Sequence, residues 1–290
     1  MARLLLVLAL AAQAASSSPA SFDSTRAWTH LERLVSHGPR PAGSPALQRN
    51  RDYIKAQLAA LGVPVVEQAW EAATPVGRIR MVNLIATIAG ESPNRLVIAG
   101  HYDTKRFRDI QFVGANDGGS SAAFLIELAR VLKGRRNPLT MELLFLDGEE
   151  ATVEWQGTDH TYGSRHYVDA ARRGNTLASL KALVLVDMVA DDDLLLKRDI
   201  NSTPWLTDAV WSAARAQGLG RYFSTELTQI EDDHLPFIGA GIPAVDLIDL
   251  EYPEWHTADD TLAHVSARSL QVVGDALVAA LPAIEARLSR

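Results

Sequence analysis

The sequence predicts an α/β fold: a three-layer sandwich with a mostly parallel, mixed sheet at its centre and helices on both faces. Three observations carry that expectation. Short apolar runs of strand length, rich in Val, Leu and Ile, recur through the middle of the chain. They alternate with longer segments whose apolar residues return every three or four positions, which is how parallel strands joined by crossover helices read in sequence. Acidic residues and histidines collect just after the apolar runs, where open α/β sheets keep their functional crevice.

The elements follow in order. Residues 19–37 lead into an amphipathic helix, which Gly38-Pro39-Arg40-Pro41-Ala42-Gly43-Ser44-Pro45 breaks with several turn formers. A second helix is expected over residues 46–61, with Leu47, Tyr53, Ile54, Leu58 and Leu61 inward and Gly62 as its stop. Strands follow around residues 65–68 and 81–88. The pattern then becomes regular: strand 95–99, helix 120–132 with Phe124, Leu125, Leu128, Val131 and Leu132 on one side, strand 141–146, helix 162–173 and strand 182–186. Helix 204–217 starts on a favourable Pro, strand 244–248 comes late, and helix 266–288 closes the chain. No repeat and no linker divides it, so residues 19–290 are expected to form one α/β domain.

Composition narrows the function. Of 290 residues, 47% are hydrophobic and 22% charged, enough to bury a large core without cross-links. The net charge of −7 gives no basic face for nucleic acid or an anionic membrane. Residues 1–18 read as a signal peptide with a short disordered start to the mature chain. Arg3, the apolar run from Leu4 to Leu10, and the small residues Ala12, Ala14 and Ala15 place cleavage near Ala14 and the protein outside the cytoplasm, secreted or periplasmic. The sequence contains no cysteine, which excludes disulfides, thiolate metal sites, a Cys nucleophile and a lipid anchor on Cys. Neither a Gly-x-Ser-x-Gly elbow nor a phosphate-binding Gly-x-x-x-x-Gly-Lys loop is present. A monomer is expected.

The residues at the strand ends are chemically coherent. His101 and Asp103 follow one buried strand, Glu149 and Glu150 follow the next through Asp147-Gly148, Asp187 ends a third, and His256 comes shortly after the last. Asp117 sits in the turn Gly114-Ala115-Asn116-Asp117-Gly118-Gly119 that opens a helix. Carboxylate oxygen and imidazole nitrogen without sulfur suit Zn²⁺ in a site that keeps one position open. A solvated acidic rim is the competing reading, and candidates at several successive strand ends disfavour it. Adjacent glutamates can point in different directions, so one can bind metal while the other handles protons.

Together with Trp155, Tyr162-Gly163-Ser164-Arg165-His166, Asp232-Asp233-His234-Leu235-Pro236-Phe237 and Pro253-Glu254-Trp255-His256-Thr257, these motifs resemble the glutaminyl-peptide cyclotransferases. That family belongs to the zinc aminopeptidase superfamily, and the resemblance runs from about Arg26 to the C-terminus. It implies that the N-terminal glutamine of a peptide or protein is closed to pyroglutamate with release of ammonia. It implies one zinc on Asp117, Glu150 and His256, with Glu149 as proton shuttle, raised by Asp187 and Asp232, which orient the substrate amine in a hydrogen-bonded cluster. Trp155 and Trp255 would line the glutamine pocket. Glu231 stands where that family more often has Gln. With His101 and Asp187 present as second-metal ligands, a two-zinc aminopeptidase is the alternative; a secreted binding domain without activity is a third. His30, His37, His160 and His264 have no convergent partners in the sequence and are expected at the surface or on helices.

Overall fold

The computed structural model describes residues 21–289, so the expected signal peptide and its cleavage site lie outside the described residues. Two helices open the chain. In α1 (Ser24–Val35) the Asp23 carboxylate accepts from the Thr25 and Arg26 amides. In α2 (Pro45–Ala60) the Ser44 hydroxyl accepts from Leu47 N–H, and Pro45 occupies a position where no amide hydrogen is needed. The Gly/Pro run before it therefore ends one helix and caps the next.

β1 (Val65–Thr74) and β2 (Gly77–Ile88) form an antiparallel hairpin. Both are longer than their apolar runs, because β1 exposes half of its residues and β2 exposes its first turn-side residues. Then come β3 (Ser92–His101), α3 (Ser121–Lys133), β4 (Leu139–Leu146), α4 (Tyr162–Arg173) and β5 (Leu180–Asp187). β6 (Leu196–Asp199), α5 (Pro204–Ala216), β7 (Phe223–Thr228), α6 (His234–Gly239), β8 (Ala244–Ile248) and α7 (Ala267–Leu288) complete the order. β6 and β7 pair in a small separate sheet that the apolar pattern did not announce.

The main sheet runs β1-β2-β4-β3-β5-β8. β2 is antiparallel to both neighbours, while β4, β3, β5 and β8 are mutually parallel, so β2 alone runs against the rest. Alternate residues divide the core between two faces. Leu96 and Ile98 pack with α1, α2, α3, α5 and α7, whereas Val97 and Ala99 pack with α4 and α6. Trp211 and Phe145 are fully buried in the larger layer, and truncating either to Ala would cost about 3–5 kcal/mol. The order of β4, β3 and β5 sets the site: the chain leaves β3 for β4 on one side, then crosses back to β5 on the other. The crevice outside the carboxyl ends of β3 and β5 is thus the switch point of the sheet, and His101 and Asp187 are the terminal residues of those strands.

Candidate active site

Three loops carry Asp117, the Glu149–Glu150 pair and His256 to this crevice. Asp117 lies in the tight turn Ala115–Ser120 before α3. Gly118 has φ +73°, and a Cβ there would lie 2.2 Å from the Asp103 carbonyl, so the turn needs glycine. The Asn116 and Asp117 amides donate to the Asp260 carboxylate at 2.7 and 3.1 Å, and Tyr252 Oη donates to it at 3.0 Å. Arg40 is fully buried behind the same turn, donating to the carbonyls of Tyr102 (3.1 Å), Gly114 (2.7 Å) and Val113. Burial lowers its guanidinium to about 10, against the pull of Asp260, Asp117 and Asp103.

Gly148, at φ +72°, turns the chain after β4, and a Cβ would strike Met81 Sδ at 2.6 Å. Glu149 N–H donates to Asp103 Oδ1 at 3.3 Å, and its carbonyl accepts from Thr161 N–H at 2.8 Å. The two glutamates consequently part: Glu150 Oε1 lies 3.2 Å from His256 Nε2, while Glu149 Oε2 lies 3.9 Å from His101 Nδ1. His256 adopts φ +56°, a conformation that costs a non-glycine residue on the order of 1 kcal/mol. Its ring is fixed by Trp255, stacked at 4.3 Å, and by the edges of Phe107 and Phe112.

Asp117, Glu150 and His256 each offer a ligand atom within one small volume. Three atoms bound tetrahedrally roughly 2.1 Å from one zinc lie roughly 3.4 Å apart. His256 Nε2 sits 3.3 Å from Asp117 Oδ2 and 3.2 Å from Glu150 Oε1, which fits. Asp117 Oδ2, the oxygen nearest His256, is buried without a hydrogen-bond partner, as an oxygen awaiting a cation would be. Burial and the neighbouring Asp117 lift Glu150 to about 7. Burial opposes charging of His256, but Asp117 and Glu150 outweigh it and raise the imidazole to about 9.

His101, Asp117 and Asp187 form a second converging group. His101 Nε2 lies 3.1 Å from both Asp117 Oδ1 and Asp187 Oδ1. Asp187 Oδ1, however, already accepts from Met188 N–H at 2.8 Å and Ser121 Oγ at 3.2 Å. One donor set thus presents the unpartnered Asp117 Oδ2, while in the other Asp187 Oδ1 already accepts two hydrogen bonds.

A cavity of about 350 Å³ opens over these groups, lined by Glu149, Asp187 and Asp232 as well as Trp155 and Trp255. Burial is the first cause pushing the Glu149 carboxyl well above its ordinary range, with Asp232, Glu150 and Asp233 adding and His101 opposing. Burial, Asp187 and Asp233 likewise raise Asp232. The expected pocket residues are therefore neighbours in space. His101 and Asp103 lie behind the wall, buried at 1% and 0% exposure.

Among the described residues none of His30, His37, His160 and His264 joins a converging donor group; the His160 ring stacks on Trp155 at 4.2 Å and 13°, at the pocket edge. His30 Nδ1 meets Tyr53 Oη at 2.8 Å, His37 meets Asn50, and His264 pairs with Glu254 at 3.3 Å. Arg40 and Asp260 were missed altogether. A buried Arg in a Pro/Gly run reads as a turn residue, and Asp260 in Thr257-Ala258-Asp259-Asp260 reads as a solvated loop.

The model of peptidase family M28 matches residues 83–281. A curated glutaminyl-peptide cyclotransferase of Drosophila melanogaster is 32% identical over 249 residues, covering 77% of this chain and 70% of that protein. A glutaminyl-peptide cyclotransferase-like protein of Bos taurus is 32% identical over 274 residues, covering 84% and 71%. The crystal structure of an Acidobacteriales bacterium glutaminyl cyclase is 38% identical and superposes with a TM-score of 0.89 over 96% of this chain and 100% of that one.

Proposed function

The chain belongs to peptidase family M28 and, within it, to the glutaminyl-peptide cyclotransferases, and from that premise we propose that it closes the N-terminal glutamine of peptides to pyroglutamate with release of ammonia. The observation that carries this reading is the division of labour between neighbours: Glu150 joins Asp117 and His256, while Glu149 stands beside that group, not within it, and faces the pocket. A carboxylate next to a metal site is placed to move protons.

We assign Asp117, Glu150 and His256 as the residues that hold one zinc. Such an ion supplies a Lewis acid for the γ-carboxamide oxygen when bound. The chain's own residues do the rest. Asp187 and Asp232 hold the α-amine facing the carboxamide, so that attack within one molecule needs no activated water. The amine nitrogen bonds to the γ-carboxamide carbon, Glu149 accepts the amine proton, and the bond to the amide nitrogen breaks as Glu149 returns that proton to the departing ammonia. A carboxyl raised by burial and by nearby acids suits both halves of this transfer. Trp155 and Trp255 flank the side chain and exclude water from the reacting carbon. The bonded state of Asp187 Oδ1 supports a positioning part for that residue over second-metal ligation. The apolar, small-residue start of the sequence supports export.

Incubating the zinc-loaded protein with a Gln-initiated peptide and weighing the product tests the proposal. Loss of one ammonia with the residue count unchanged is the expected result. Release of free glutamine would instead place the chain's activity with the aminopeptidases.

A further inference from the structure

Asp117, Glu149, Glu150, Asp187 and Asp232 all line the cavity and are all buried. Glu231, also in the lining, differs from them: it is exposed, and among the described residues no cation pairs with it. The lysine in the wall, Lys105, does not balance it, because its ammonium is turned to Glu150 Oε2 at 3.8 Å and is only 13% exposed. The one other exposed residue in the lining is Trp255, which is uncharged. Glu231 is thus the exposed charge of the pocket mouth. It precedes Asp232, the residue assigned to the substrate amine, and lines the same cavity at its exposed edge. Its charge is felt at His160, the ring beneath Trp155, which puts it on the same rim.

We propose that Glu231 makes the enzyme selective at the second residue of its substrate, favouring Lys or Arg after the N-terminal glutamine and disfavouring Asp or Glu. This rests on the cyclotransferase reading and adds a determinant to it. Two unit charges about 7 Å apart in water change an equilibrium roughly threefold, so a cationic and an anionic second residue should differ roughly tenfold in kcat/KM. Screening identifies the origin, since the Debye length falls to about 3 Å at 1 M salt.

The test uses zinc-loaded protein and three amidated tripeptides, Gln-Arg-Ala, Gln-Ala-Ala and Gln-Glu-Ala, with kcat/KM read from ammonia release. At low ionic strength the Arg peptide should lead the Glu peptide by roughly tenfold, and about 1 M salt should bring them together. Glu231→Gln should remove most of the difference and Glu231→Lys should reverse its sign, with thermal melting showing that both variants fold. Equal rates for the three peptides, or a preference that survives in Glu231→Gln, overturns the proposal. So does a uniform loss on all three, which marks a structural part for Glu231. Absence of ammonia from every peptide, including Gln-Ala-Ala, overturns the cyclotransferase reading as well.

Discussion

Glu149 and Glu150 share a chemistry and a loop, yet the turn at Gly148 and the hydrogen bond from Glu149 N–H to Asp103 hold them in different directions, as the proposed division of roles between them requires. Glu149→Gln removes the proposed proton acceptor and keeps the shape, so it should leave zinc content unchanged while lowering turnover by roughly 10²–10⁴. Metal analysis alongside ammonia release checks both halves; a variant of full activity would end the assignment. Trp155→Ala deletes one flank of the pocket and the stacking partner of His160. It should reduce kcat/KM by at least about tenfold with little change in zinc content, readable from the same assays. At this scale the sequence was informative wherever an acid or histidine followed an apolar strand, because the sheet delivers those residues to one edge. It was silent on Arg40, whose donors are used on carbonyls contributed by distant segments, and on His160, whose partner is a ring face that no spacing rule reveals.

The turn Ala115–Ser120 is the element on which the metal group depends, since it sets both Asp117 oxygens. Asp260 grips its Asn116 and Asp117 amides from outside. Asp260→Asn keeps one acceptor and loses the other, and zinc affinity should fall roughly 10- to 100-fold, measured by competition with a chromogenic chelator. An unchanged affinity would show that α3 alone fixes the turn. Elements were legible in proportion to their burial: α3, β4 and β5 are nearly all buried and read as apolar runs. β7 was not, because Thr225, Glu226 and Leu227 are exposed and only Phe223 is buried. α6 was hidden by its shortness and by Pro236 within it.

For the whole molecule, the layered α/β plan followed from the alternation of periods, while α6, the small β6–β7 sheet and the lengths of β1 and β2 escaped it. Such a core has consequences for pH. Burial lifts the Asp249 carboxyl to about 7, with Asp191 adding and the Leu195 amide opposing. Folding therefore holds a proton there that the unfolded chain has released above about pH 4. Stability from this group is complete below that pH and lost as pH climbs through 7. Asp249→Asn should reduce the fall in stability between pH 5 and pH 8 by on the order of 3 kcal/mol, as measured by denaturant unfolding with chelator present. An identical fall in both proteins would contradict it. Upon all of this rests the claim that Asp117, Glu150 and His256 together hold a single zinc beside Glu149. X-ray absorption on the zinc-loaded protein, with metal counted per chain, addresses it most directly. One zinc with one imidazole among oxygen ligands is the expected result; two zincs per chain, or two imidazoles drawn from both His256 and His101, would contradict it.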